Sequence, residues 1–134
     1  MRWLLAVLLA ISLHANTLVV VGHFEKAHRL KRSQILAIYL LRRTTWMGRR
    51  LIPINLPIDD PIRKRFEEKV LHRSRAALMR EWRAAYYQGY KPPKVLASQK
   101  AVALFVRSVP GAIGYLDRSL AQRYGLTILY EVKE

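Results

Sequence analysis

The sequence predicts an α/β fold in a single domain. Short apolar runs rich in β-branched residues alternate along the chain with segments whose apolar residues recur at helical spacing. Strands that alternate with helices are typical of layered structures in which helices cover a sheet. The 134 residues suffice for one domain with one hydrophobic core, and they contain no internal repeat or low-complexity tract.

The first strand and the first helix follow from local pattern. The run TLVVVG at 17–22 is too short for a helix and is apolar throughout, which predicts a buried strand. The apolar stripe of the next segment predicts a helix at 33–41. Lys31 stands where this helix should have its N-cap, so the cap is missing unless Ser33 takes it over two residues later.

The second strand and the second helix come next. Residues 51–56 form an apolar run, and Pro53 within it indicates an edge position or a bulge. Asp60 followed by Pro61 is a strong signal for a helix start, because Asp caps helices well and Pro is favoured in the first turn. The helix that they begin should bury three apolar side chains, Ile62, Phe66 and Val70.

The remaining elements are two helices and two strands. Ser74 and Ser98 are predicted N-caps, and Gly89 and Pro110-Gly111 are predicted ends. The helix after Ser74 should direct four side chains inward: Leu78, Trp82, Ala85 and Tyr86. The last two strands are predicted at 112–116 and 126–132.

The first fifteen residues have the layout of a secretory signal peptide. Arg2 precedes an apolar run at 3–13, and the small residue Ala15 precedes Asn16. This run is too short to span a bilayer as a helix. We therefore expect residues 1–15 to be a signal peptide, 16–134 to be the mature domain, and the protein to be periplasmic with no stable membrane span. A retained N-terminal anchor is the alternative, because Leu13 is a poor residue at the third position before the cleavage site.

Charge is the one extreme of the composition. The chain has 24 Lys and Arg against 9 Asp and Glu, a formal net charge of +15. Eight of the basic residues lie in the segment Lys26–Arg50, and no acidic residue occurs between Lys26 and Ile58. Such a field attracts anionic partners in a manner that weakens as salt rises. A solvated basic surface without a specific partner is the alternative.

Six segments between residues 18 and 117 form a recognisable series. They are the helix with Gln34, Ile35, Ile38 and Tyr39 that leads to Trp46, the segment Ile52-Pro-Ile-Asn-Leu-Pro57, the pair Arg63 and Phe66, Trp82, Gly89 with Pro92-Pro93, and Pro110 to Tyr115. Taken in this order, they resemble the phosphate-type periplasmic binding proteins, and more closely their small single-domain relatives.

The resemblance implies one lobe of a periplasmic-binding-protein fold, a central mixed β-sheet flanked by about four helices. Full-size members hold their anion between two lobes, with an Arg after the second strand and a Ser-Gly-Thr stretch at the next helix start. Here the corresponding positions are Asn55 and then Asp59, Asp60 and Pro61. Two carboxylates and a proline oppose an anion there, so we expect Asp59 and Asp60 to be helix caps and the phosphate cradle to be lost.

The loop before Trp46 supplies other candidates for an anion site. Arginine side chains bind phosphate and sulfate groups through paired N–H donors, and hydroxyls add further donors. We therefore take Arg42, Arg43, Thr44 and Thr45, together with Asn55, as candidate ligand-binding residues. A solvated loop is the alternative.

No set of catalytic residues or metal ligands is recognisable. The chain has no cysteine, its histidines lack metal-site spacing, and its serines have no histidine partner in a known motif. We expect a non-enzyme without cofactor or metal that acts as a binding or accessory module. Its candidate partners are a small anion, an anionic polymer, or a protein that supplies the missing lobe; intracellular nucleic acid is not expected. The rival hypothesis is a basic envelope protein that binds polyanions through the Lys26–Arg50 segment.

Overall fold

A five-stranded mixed sheet forms the centre of the protein in the computed structural model, which describes residues 17–26 and 28–133. The predicted signal peptide at 1–15 lies outside the described residues. The strands are β1 (Leu18–Gly22), β2 (Thr45–Trp46), β3 (Arg49–Arg50), β4 (Ile52–Asn55), β5 (Lys94–Val95), β6 (Ala112–Asp117) and β7 (Thr127–Glu131).

The helices cover this sheet and begin at recognisable caps. They are α1 (Arg32–Tyr39), α2 (Pro61–Phe66), which continues as a π-helical segment (Glu67–Leu71), α3 (Arg75–Tyr87), α4 (Gln99–Ser108) and α5 (Arg118–Arg123). Ser74 and Ser98 accept hydrogen bonds from the backbone N–H groups of Ala77 and Ala101, as their predicted capping roles require. Gln34 accepts from the N–H of Lys31, so the side chain of Gln34, and not that of Ser33, satisfies the start of α1.

The order of the sheet is β5-β4-β6-β1-β7, with β2 and β3 forming a separate hairpin. Strand β4 is parallel to β5 and β6, whereas β1 is antiparallel to β6 and β7. All five residues of β1 are buried, as its apolar sequence predicts. Strand β4 lies between β5 and β6, so the edge position expected from Pro53 was wrong. Pro53 pairs with Ile113 of β6, and the pairing with β5 begins only at the next residue, Ile54.

Most predicted core positions are buried, with one clear exception. Phe66, Val70 and Leu78 are fully buried and Trp82 is nearly so. Tyr86 was expected to point inward, and this prediction was wrong because its side chain is 65% exposed. The last turn of α3 lies beyond the core, although the helical pattern continues through it.

Two short features were not predicted from the sequence. The β2–β3 hairpin turns at Met47 and Gly48, both with positive φ, which is the backbone of a tight two-residue turn. Helix α5 is a short helix that had no counterpart among the predicted elements. The Asp117 side chain caps α5 by accepting from the N–H of Ser119.

Candidate functional site

The end of β4 is the position where the family resemblance places an anion, and here its polar side chain faces inward. Asn55 is 3% exposed. Its Oδ1 accepts a hydrogen bond of 2.7 Å from the hydroxyl of Tyr115, on the neighbouring strand β6. The same hydroxyl accepts from the backbone N–H of Leu56 at 3.1 Å. Asn55 is therefore part of the core and does not face a ligand-accessible surface.

An aromatic cluster closes the space around Asn55. The rings of Phe66 and Tyr115 stack at 3.9 Å, and Tyr39 meets Phe66 edge-on at 4.8 Å. The Tyr39 hydroxyl donates to the carbonyl of Ile54 at 2.8 Å. Burial raises the pKa of both Tyr39 and Tyr115 well above the usual value, so both hydroxyls stay protonated donors.

The start of α2 offers little to an anion. Asp60 is the N-cap residue, and its Oδ1 accepts from the N–H of Ile62 at 2.8 Å. Pro61, at the first helical position, has no N–H to donate. Asp59 was also expected to be a cap, and this was wrong: it lies exposed in the preceding turn, with no side-chain hydrogen bond or ion pair in the described part of the chain. The cap and the proline leave this helix start acidic and poor in free donors.

Behind the same helix lies a buried ion-pair network that the sequence analysis missed. Arg63 is 5% exposed, contacts Glu67 at 3.0 Å, and donates to the carbonyl of Leu56 at 3.0 Å. Glu67 also accepts from Arg75 at 2.9 Å. The Arg63 guanidinium lies 5.8 Å from the centre of the Trp82 ring. The Arg-to-Glu spacing of four residues on α2 was the available signal.

Arg63 and Trp82 connect elements that are distant in the sequence. Arg63 holds the end of β4 through Leu56, and Trp82 donates from Nε1 to the carbonyl of Tyr39 at 2.8 Å. Together they tie α2 and α3 to the sheet and to the end of α1. Their roles in this chain are therefore structural.

The candidates at 42–45 lie at the surface and are separate from Asn55. Arg42 pairs with Glu81 of α3 at 2.9 Å, and both side chains are substantially exposed. Arg43 donates from Nε to the carbonyl of Thr45 at 3.3 Å. The carbonyl of Thr44 accepts from the N–H of Leu51, which closes the base of the hairpin. Because Asn55 is buried and this loop is exposed, the five candidates do not form one site.

The basic surface continues onto the β2–β3 hairpin. Arg49 and Arg50 are exposed, and Arg49 pairs with Glu25 at 3.3 Å. An open cleft of about 370 Å³ lies beside the hairpin, lined by Phe24, Glu25, Lys26, Met47, Gly48 and Arg49. Phe24 packs edge-on against Trp46 at 4.6 Å, which anchors the hairpin to the core. The hairpin thus packs against the core through Trp46 and carries exposed arginines.

Two further features are absent from the described ranges, a metal-binding cluster and a membrane-spanning helix. No cluster of three or more His, Asp or Glu side chains there could hold a metal ion. No helix in those ranges is long and apolar enough to cross a membrane.

Comparisons with known proteins identify the fold. No protein-family model matches the sequence, and no curated protein sequence matches it significantly. Among solved structures, an ABC-type phosphate transport receptor from Vibrio cholerae is similar with a TM-score of 0.67 and 13% identity over 85% of this chain. PstS from Borrelia burgdorferi is similar with a TM-score of 0.66 and 15% identity, also over 85% of this chain.

A third similar structure is a Clostridium perfringens protein described as a phosphate ABC transporter substrate-binding protein with bound phosphate. It has a TM-score of 0.64 and 17% identity over 78% of this chain. The match covers 45%, 46% and 40% of the three proteins, so this chain spans less than half of their length. At such low identity the likeness concerns the fold alone. The chain has the fold of a single lobe of the phosphate ABC transporter substrate-binding proteins.

Proposed function

We propose that this chain is an exported, single-lobe binding or accessory module in which the family's phosphate cradle is lost. The observation that carries the proposal is the buried hydrogen bond between Asn55 and Tyr115. It turns the polar side chain at the end of β4 into the core, where a solute in a cleft cannot reach it. The capping bond of Asp60 supports the same conclusion, because it occupies an N–H group that a phosphate would need.

A single lobe of this fold provides only part of a solute cleft. Two-lobed receptors trap a ligand by closing one lobe on the other. The residues described here match at most 46% of the similar solved structures, and that matched part corresponds to one wall of such a cleft. A protein partner that supplied the opposite wall would restore a closed cleft. By itself, the lobe should hold small anions only weakly.

Titration calorimetry with inorganic phosphate tests the loss of the cradle. We expect no binding tighter than about millimolar, which corresponds to roughly −4 kcal/mol. The Clostridium perfringens protein, whose structure contains phosphate, is the positive control under the same conditions. A micromolar dissociation constant for this chain would overturn the proposal and make Arg42, Arg43 and Thr45 the first residues to substitute.

Export is the second part of the proposal, and it rests on the layout of residues 1–15. The basic start, the apolar run and Ala15 match a secretory signal, which directs the mature domain to the periplasm. Intact-mass measurement after expression in a Gram-negative bacterium should give a species that begins near Asn16 in the periplasmic fraction. A full-length cytosolic species that begins at Met1 would contradict it.

The rival function is polyanion binding by the basic segment Lys26–Arg50. The specific observation in its favour is the exposure of Arg49 and Arg50 on the hairpin and of Arg43 in the turn that precedes it. Binding of this kind should weaken by orders of magnitude, about 10³-fold or more, between 50 and 200 mM salt if it neutralises six or more anionic groups. A packed protein interface should respond much less.

A labelled heparin fragment is a suitable probe for this rival. If the basic segment binds polyanions, the double variant Arg43→Gln/Arg50→Gln should bind heparin more weakly and with a smaller salt dependence. Lys100→Gln with Arg123→Gln removes the same charge from exposed positions on other helices and should have little effect. Equal losses in both double variants would indicate attraction by net charge alone and would reject the hairpin as a site.

A further inference from the structure

The outer face of α3 is an exposed stripe that neither the core nor the proposed function uses. We define it by five residues: Met79, Arg80, Arg83, Tyr86 and Tyr87. Their spacings of three, four and seven place them on one side of the helix. Met79 is 45% exposed, Tyr86 65% and Tyr87 82%. Tyr90, in the turn that follows the helix, is 45% exposed and extends the stripe.

The packing of α3 does not account for this face. Leu78 and Trp82 anchor the opposite side of the helix in the core. Glu81, the acidic residue of α3, lies off the stripe and pairs with Arg42. Neither Arg80 nor Arg83 has a hydrogen bond or ion pair with any residue in 17–26 or 28–133. The outer face therefore carries two arginines without partners in these ranges and no acidic side chain.

The composition of the face is that of a protein-binding surface. Tyr, Met and Arg are enriched in the centres of protein interfaces, and Tyr and Arg are frequent among the residues that dominate binding energy. The rings of Tyr86 and Tyr87 meet edge-on with centroids 6.3 Å apart. Exposing Met79 and these two rings to water is unfavourable, and contiguous apolar exposure of this kind marks interaction sites.

We propose that the outer face of α3 docks a partner protein through an acidic surface of that partner. Charge complementarity determines the chemistry, because Arg80 and Arg83 present paired donors that match carboxylates. A second copy of this chain is disfavoured, since it would bring the same arginines together in a protein of net charge +15. An anionic polymer would pair with the arginines but would leave Met79 uncovered. The proposal does not depend on the state of the phosphate cradle.

Site-specific photo-cross-linking in the native host tests this interaction. The full-length chain carries p-benzoylphenylalanine in place of Tyr87, and a second version carries it in place of Lys100, which is exposed on α4. We expect a protein adduct at position 87 that is absent at position 100. Mass spectrometry should place the cross-link in a segment of the partner that is rich in Asp and Glu.

The affinity between this protein and the purified partner is then measured for the wild type and for single variants. We expect Arg83→Glu and Arg80→Glu each to weaken binding at least tenfold, Tyr87→Ala to weaken it several-fold, and Lys100→Glu to leave it unchanged. All four positions are exposed, so circular dichroism melts should match the wild type, and two independent arginine variants protect against one that does not fold. The proposal is overturned by equal adducts at both positions, by an adduct with a second copy or with a polymer, or by binding that both arginine variants leave intact.

Discussion

The hydroxyl of Tyr115 donates to Oδ1 of Asn55 at 2.7 Å and accepts from the N–H of Leu56 at 3.1 Å. Two neighbouring strands are thereby joined at the point where β4 ends and the chain turns toward α2. The bond fixes the direction of Asn55 and removes it from the surface. The orientation of the polar side chain at the end of β4 therefore depends on a residue 60 positions further along the chain.

We expect Tyr115→Phe to lower the free energy of unfolding by about 1–3 kcal/mol. The substitution keeps the ring and its stacking on Phe66, but it leaves Asn55 Oδ1 and the N–H of Leu56 without this partner. Urea unfolding measures the effect. Tyr130→Phe is the matched control, because the Tyr130 hydroxyl has no hydrogen bond in the described part of the chain. A change as small as that of the control would show that the bond contributes little.

Alkaline pH should destabilise the fold through its buried tyrosines. Burial raises the pKa of Tyr39 and Tyr115, whereas tyrosine in the unfolded chain ionises near pH 10, roughly its free value. The stabilisation from holding these protons is complete below about pH 10 and is lost as pH rises toward the folded-state pKa. We expect the free energy of unfolding, measured at several pH values from 8 to 11, to fall more steeply with pH for the wild type than for Tyr115→Phe. Parallel curves would contradict this.

The capping bond of Asp60 should contribute to stability. Asp60→Ala removes the acceptor of the Ile62 N–H and should cost about 0.5–2 kcal/mol. Asp60→Asn and Asp60→Ser keep a side-chain oxygen and should recover most of this; Asn loses only the attraction of the carboxylate to the helix start, about 0.3–1 kcal/mol. Thermal melts of the three variants in one buffer measure these differences. If Asp60→Ala melts like the wild type, Asp59 and Asp60 become the leading ligand candidates.

The buried Glu67 should contribute far more to stability than the exposed Glu81, although both form ion pairs with arginine. Glu67 is 5% exposed and contacts both Arg63 and Arg75, so Glu67→Gln leaves a buried guanidinium without its counter-charge. We expect a loss of about 3–5 kcal/mol. Glu81→Gln breaks the exposed pair with Arg42 and should cost less than about 1 kcal/mol. Similar losses in denaturant unfolding would show that burial does not control the network.

Substitution of Gly111 should destabilise the protein more than substitution of Gly89, which has the same backbone conformation but no close neighbours among the described residues. Gly111 and Gly89 have φ of 88° and 92°, so Ala is strained at both, by more than about 1 kcal/mol. A Cβ at Gly111 would also overlap the carbonyl oxygen of Arg50, whereas nothing lies near one at Gly89. Gly111→Ala should therefore melt well below Gly89→Ala. Equal melting temperatures would mean that the strand end at Arg50 moves freely.

The sequence by itself determined the features that depend on neighbours within a few residues. The apolar run before Gly22 is a buried strand, and the predicted caps Ser74 and Ser98 begin their helices. Capping and helical periodicity involve residues three or four positions apart, so sequence spacing is sufficient to predict them. The same spacing misplaced Tyr86, because a helical stripe continues whether or not a core lies beneath it.

Only the tertiary structure decided the state of the candidate site. Asn55 was a reasonable surface ligand until the pairing of β4 with β6 placed Tyr115 above it. Arg63 had no assigned role until Glu67, Arg75 and Trp82 surrounded it. Burial and long-range hydrogen bonds depend on strand register and on how helices pack across the sheet. Residue types and their order therefore did not reveal that Asn55 is buried and bonded to Tyr115.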